Sequence, residues 1–165
     1  MHPEQSMTST TLIERGLAMQ GFRVGSDPSI RRAQSGLRFT PSLSTLWIAA
    51  GTALASPAIL AGFALVSAFG ASQHRHPFDR LYDRWIKRVA KSAPLPENPP
   101  PRRFAMALAA AWAGTSAILF ATGRRRAGVV AGALLATAGA TVATTHFCVG
   151  SWVYRQGERL VGLAA

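Results

Sequence analysis

Residues 43–71 read LSTLWIAAGTALASPAILAGFALVSAFGA, and no charged side chain interrupts them. As one helix this run would be roughly 43 Å long at 1.5 Å per residue, more than an upright bilayer crossing needs. It is too short for two full crossings of about 20 residues each with a turn between them. Ser56-Pro57 stands near its middle. Proline has no amide hydrogen for a preceding helical turn and suits the first position of a new helix. The stretch predicts two short helices, about 41–55 and 57–73, forming a hairpin. One long tilted helix kinked at Pro57 is the alternative.

Two more apolar runs follow. Phe104 to Gly123 holds no charged residue, and Ala127 to Ser151 holds only His146. Runs of about 18 or more such residues meet the length of a membrane span. The chain is 48% hydrophobic but only 8% aromatic, with the weight on small residues. Its formal charge is +11, from 18 Lys and Arg against 7 Asp and Glu. In a soluble chain that imbalance would suggest nucleic acid. Here the bases flank apolar spans, so anionic lipid is the expected partner and nucleic acid is not. Four spans place 15 of the 18 bases on one side and three, Arg124 to Arg126, on the other. The richer side, with both termini and the central loop, is expected to be cytoplasmic. Glu4 and Glu14 among the first twenty residues argue against a cleavable signal peptide. A single cysteine excludes an intramolecular disulfide and a cysteine zinc cluster.

Between the apolar runs, Phe78, Leu81, Tyr82, Trp85, Ile86 and Val89 recur at amphipathic-helix spacing, with Arg80, Arg84, Lys87, Arg88 and Lys91 opposite. Asp83 stands four residues before Lys87, as an ion pair along the helix requires. Phe78, Leu81, Tyr82, Trp85 and Val89 are expected at the membrane interface. Arg102 and Arg103 lead into the third span, where they can snorkel to headgroups, and Trp152 and Tyr154 are expected at headgroup depth. The chain thus divides into a polar arm (1–37), a first transmembrane hairpin (38–75), an amphipathic helix with a proline-rich linker (76–101), a second hairpin (102–149) and a tail (150–165). The fold class is an all-α integral membrane protein: four transmembrane helices as two hairpins, the first pair short, with an interfacial helix between them.

Gly128, Gly132, Ala136, Ala140 and Thr144 recur every four residues, a stripe that lets helix backbones approach closely. Ala107, Ala110, Ala111 and Gly114 of the third span offer a partner face. Two residues invite chemistry. His146 near the end of the fourth span suits an axial contact to haem or a bacteriochlorophyll-type pigment, although nothing in the sequence requires a cofactor. Cys148 is a candidate reactive thiol, but residues two apart on a helix point about 200° from one another, so His146 is badly placed to activate it. No catalytic residue and no metal site is expected.

HPFDRLY, PPPRRFAMALA and FCVGSWVY, at residues 76–82, 99–109 and 147–154, resemble the uncharacterised bacterial membrane family known as domain of unknown function 4395. The resemblance covers roughly Arg38 to Tyr154 and implies a four-helix protein of the bacterial inner membrane. Some members are similar to neighbours or fusion partners of thioredoxin-like and sulfur-transfer proteins. The family's usual Cys-x-Gly-Cys appears here as Cys148-Val149-Gly150-Ser151, so one sulfur of a dithiol is missing. The expected function is a non-catalytic accessory subunit of a larger membrane complex, of respiratory or photosynthetic type, packed against other subunits through small-residue faces and the N-terminal arm. The alternatives are thiol or sulfur redox at Cys148, and haem or pigment binding at His146.

Overall fold

The computed structural model describes residues 12–23, 28–90 and 92–162. Within them the chain forms helices and no strand. They are α1 (12–19), α2 (Pro28–Leu37), α3 (Phe39–Ala53), α4 (Pro57–Ser72), α5 (Pro77–Leu81), a π-helical turn (Tyr82–Ile86), α6 (Lys87–Val89), α7 (Pro100–Ala121), α8 (Arg125–Thr145) and α9 (Val149–Leu160).

The apolar run of 43–71 is a hairpin. Ser56 caps α4 in an extended conformation and accepts the Ile59 amide at 3.4 Å, with Pro57 in the first turn. Ala55 takes a positive φ of 47° to reverse the chain. Trp47 of α3 donates its indole N–H across the hairpin to the Ile59 carbonyl at 2.8 Å. At 15 and 16 residues, α3 and α4 are only about 22 and 24 Å long. By contrast, α7 and α8 are long and apolar enough to cross a membrane. Only 33% and 17% of their apolar windows are buried inside the protein, unlike the core helix of a soluble domain.

The four long helices form a bundle in which α4 lies on α7, α3 on α8, and α7 beside α8. Ile48, Leu60, Phe63, Ala113, Ala117 and Leu135 fill its centre. Of the small-residue stripe on α8, Gly132 packs against Thr52 of α3 and Gly128 against Phe120 of α7, while Ala136 borders the core and Thr144 is exposed. Gly139, outside the stripe, meets Thr45. The partner of α8 over Gly132 and Gly139 is therefore α3, not the α7 face expected from the sequence. On that α7 face Ala107 and Ala111 are exposed, and a side chain added at Gly114 would meet nothing. Of the expected α7 residues Ala110 is buried, and the α7 face that packs runs through it to Ala113, Ser116 and Ala117. Small residues set the close approach, but a helix carries them on more than one face, and packing chose between them.

A second core closes the end of the bundle opposite the two turns. Leu17 and Phe22 from the arm, Ile30, Ala33 and Leu37 of α2, Tyr82 and Leu95 are buried together. The described part of the arm is thus bound to its own chain; residues 1–11 and 24–27 lie outside the described residues. The amphipathic segment is not one regular helix. Its π turn inserts a residue and rotates the faces, so Phe78 and Tyr82 are buried in the protein rather than turned to lipid. Leu81, Trp85 and Val89 do face outward, the last two 66% and 86% exposed. Asp83 does not pair with Lys87: it binds Arg75 at 3.2 Å and accepts the Leu95 amide at 3.0 Å. The tail expected from residue 150 onward is helical up to Leu160, as α9 (Val149–Leu160), with Gly150 against Ala105 of α7.

Because Gly132 abuts Thr52 while Gly114 abuts nothing, the two positions should respond oppositely to added bulk. Gly132→Val is expected to cost about 1–3 kcal/mol by overpacking the α3–α8 contact. It should lower the melting temperature of the detergent-solubilised protein, whereas Gly114→Ala should leave that temperature unchanged.

Candidate functional site: a buried polar junction

At the closed end of the bundle the structure gathers the charged and titratable groups that lie furthest from water. His76 precedes Pro77 and caps α5, its Nδ1 accepting the Phe78 amide at 3.2 Å. Three residues on, the Asp79 carboxylate accepts the His76 amide at 3.3 Å, completing a reciprocal cap. The imidazole lies against Gly70, where no side chain would fit beside it. Local sequence alone explains this cap.

Tertiary structure adds the rest. Asp79 accepts the Thr40 hydroxyl from α3 at 2.6 Å and the Asn98 amide at 3.2 Å, and pairs with Arg102 Nη2 of α7 at 3.6 Å. Arg102 is buried, with Phe22 of the arm 5.5 Å from its guanidinium. It does not snorkel, contrary to the sequence expectation. Arg103 does not reach outward either: it donates to the Ala71 and Ser72 carbonyls at 2.8 and 3.4 Å, capping the end of α4.

His146 lies on the arm's side of the same junction. It ends α8 in the left-handed conformation, φ 59°, with its ring fully buried. Arg38 Nε donates to its Nε2 at 3.1 Å, and Gln20 donates to its carbonyl at 2.7 Å. Gly16 of α1 sits directly on the His146 backbone, leaving no room for a side chain there. With Nε2 accepting, the neutral ring carries its proton on Nδ1, which has no protein partner. Haem ligation through Nε2 would have to displace Arg38. Residues 146–148 are not helical, so the 200° argument does not describe them. Cys148 is the half-buried N-cap of α9, and Ser151, one turn on, is buried and donates to the Pro101 carbonyl at 3.2 Å. Tyr154 packs on the Phe104 ring at 5.5 Å, and Trp152 is exposed. Arg155 turns back to the arm, donating to the Ala18 and Met19 carbonyls at 3.3 and 3.5 Å.

Both histidines are held neutral. Burial is the main cause in each case, pushing them from 6.5 to about 4. Arg102 pushes both the same way and Arg38 adds to the effect on His146, whereas Asp79 opposes it at His76. Among the described residues no three His, Cys, Asp or Glu side chains converge as a metal ion would need.

The sequence reading singled out His146 and Cys148 but missed Asp79, Arg38, Thr40, Asn98 and Gln20. The spacing His76-Pro77-Phe78-Asp79 carried a signal for the cap; nothing in the linear pattern tied Asp79 to Arg102.

The three sequence pieces at 76–82, 99–109 and 147–154 therefore meet at one place: Asp79 with Arg102, Pro101 with Ser151, Ala105 with Gly150, Phe104 with Tyr154. The family described as Domain of unknown function (DUF4395) matches residues 33–159. The chain belongs to that family. No curated protein and no solved structure matches it.

Removing one partner of a buried ion pair costs about 3–5 kcal/mol, because the other charge stays buried. Asp79→Ala should therefore abolish or severely lower cooperative melting, and the double variant Asp79→Leu with Arg102→Met should recover part of the loss. The histidines predict the pH response. Between about pH 4 and 6.5 the unfolded chain binds protons that the folded chain refuses, so stability present above 6.5 is lost as pH falls toward 4. Melting temperature should drop between pH 7.5 and 5, and His146→Asn should start lower but vary less with pH.

Proposed function

We propose that the protein is a non-catalytic, multi-pass subunit of a larger assembly in the bacterial inner membrane. The observation that carries this reading is the junction itself. Asp79 is bound by Thr40, Asn98, Arg102 and the His76 amide, and His146 is held between Arg38 and Gln20. Although His146 Nδ1, Arg102 Nη1 and Asn98 Oδ1 have no partner among the described residues, the bonds that the junction does make join different segments of the chain, which suits a structural lock.

The outward faces of all four long helices support the membrane placement. Leu46 of α3 and Leu54 at its C-cap, Leu65 and Phe69 of α4, Leu108 and Ile118 of α7, and Val130 and Leu134 of α8 are all exposed. In this reading α3 and α4 also enter the bilayer as short elements that thin it locally, giving four membrane helices. The end with 15 of the 18 bases faces the cytoplasm, and the Arg124–Arg126 turn faces out. Other membrane subunits and anionic lipids are its partners, and a respiratory or photosynthetic complex is the type of host.

Purification from native membranes in mild detergent tests the proposal. The protein should migrate with a complex several times its 17.5 kDa mass and bring defined membrane proteins with it. Recovery as a monodisperse monomer would overturn it.

A further inference from the structure

The strip of apolar residues on α9 is turned away from the bundle and stays largely uncovered among the described residues. Val149, Trp152, Val153 and Leu160 fall at offsets 0, 3, 4 and 11, a single helical stripe. They are 48%, 43%, 41% and 89% exposed. Gln156 is the polar residue between them. The opposite face is the one that holds the protein: Gly150 abuts Ala105, Ser151 donates to the Pro101 carbonyl, and Tyr154 packs on Phe104. Arg159 flanks the stripe on one side, while Arg155 beside it is held by Glu158 at 3.5 Å and by the arm carbonyls. The helix is therefore amphipathic in the unusual sense that its apolar face points away from its own fold.

Two observations say what covers that face. First, only three residues, 146–148, separate α9 from Thr145, the last residue of a helix long and apolar enough to cross a membrane. A chain leaving such a span starts at the boundary between acyl chains and headgroups. Second, at the same end of the bundle the α5–α6 segment also turns apolar residues outward, Leu81, Trp85 and Val89, with Arg84, Lys87 and Arg88 beside them. Apolar stripes containing tryptophan and edged by arginine suit an anionic lipid interface, where the side chains enter the acyl boundary and the guanidinium groups meet phosphate.

We infer that α9 lies in the plane of the membrane surface as a second interfacial helix, with Val149, Trp152, Val153 and Leu160 in the lipid. This rests on the reading of α7 and α8 as spans. The helix anchors the end of α8 and holds Arg155 where it reaches the Ala18 and Met19 carbonyls, so lipid contact is linked to the seating of the arm.

The single cysteine makes the test direct, since Cys148→Ser leaves a cysteine-free chain and serine is a favourable N-cap. In that background, Val153→Cys, Leu160→Cys, Leu108→Cys and Thr122→Cys are each labelled with a nitroxide. The full-length protein is then reconstituted in phosphatidylcholine–phosphatidylglycerol vesicles. Collisions with oxygen report lipid, and collisions with an aqueous nickel chelate report water. Labels at 153 and 160 should lose nickel accessibility and lie shallower than the label at 108, while the label at 122 stays open to nickel. Nickel access at 153 and 160 with 108 still in lipid would overturn the inference and leave the spans standing. Shielding of 153 and 160 from both reagents would overturn it in favour of a protein partner. Water at 108 would overturn both this inference and the membrane reading beneath it.

Discussion

Asp79 and Arg102 have each been taken almost wholly out of water, and much of the closed end of the bundle follows from that. Desolvating such ions costs several kcal/mol apiece, and a pair at 3.6 Å offsets this only if the remaining oxygens and N–H groups are bonded too. The carboxylate meets this condition by drawing one donor each from α3, from the His76 cap, from the linker at Asn98 and from α7, whereas Arg102 Nη1 is buried with no partner among the described residues. Each donor sits on a different segment, so satisfying one side chain fixes the relative positions of four. The Phe22 ring against Arg102 adds the arm as a fifth.

The bundle itself is held differently. Its interior has no ion pair among the described residues; close approach at Gly132, Gly139 and the alanine face of α7 takes over. Apolar driving force is weak between helices surrounded by lipid, and short contact distance together with shape becomes decisive there. The buried charged and imidazole groups are gathered at one end, while the buried polar groups inside the bundle are hydroxyls such as Thr52, Ser67 and Ser116. This separation leaves a densely bonded polar closure at one end of a bundle whose other helix faces carry exposed apolar residues.

Local features of the sequence were legible where neighbouring residues supply the physics. Ser56-Pro57 broke the long apolar run because a proline amide cannot continue the preceding helix and the serine caps the next one. The stripe from Phe78 to Val89 predicted a helix but not the π turn, which serves to bury Tyr82 in a core that includes Leu17 and Leu95. Arg102 and Arg103 were read as snorkelling because arginines before a span usually do. One turned inward instead because a carboxylate waited there, and the other because α4 ended beside it.

What the sequence by itself determined is the four long apolar helices, the break at Ser56-Pro57 and the asymmetry of charge, since caps, prolines and hydrophobic runs act over a few residues; α2 and α9 were not legible in it. Only tertiary structure decided which small-residue face packs on which helix, why Asp79 sits opposite Arg102, and that the arm and α9 fold back over His146. Those outcomes depend on groups that are between 23 and 137 positions apart in the chain and become neighbours only once the bundle has formed.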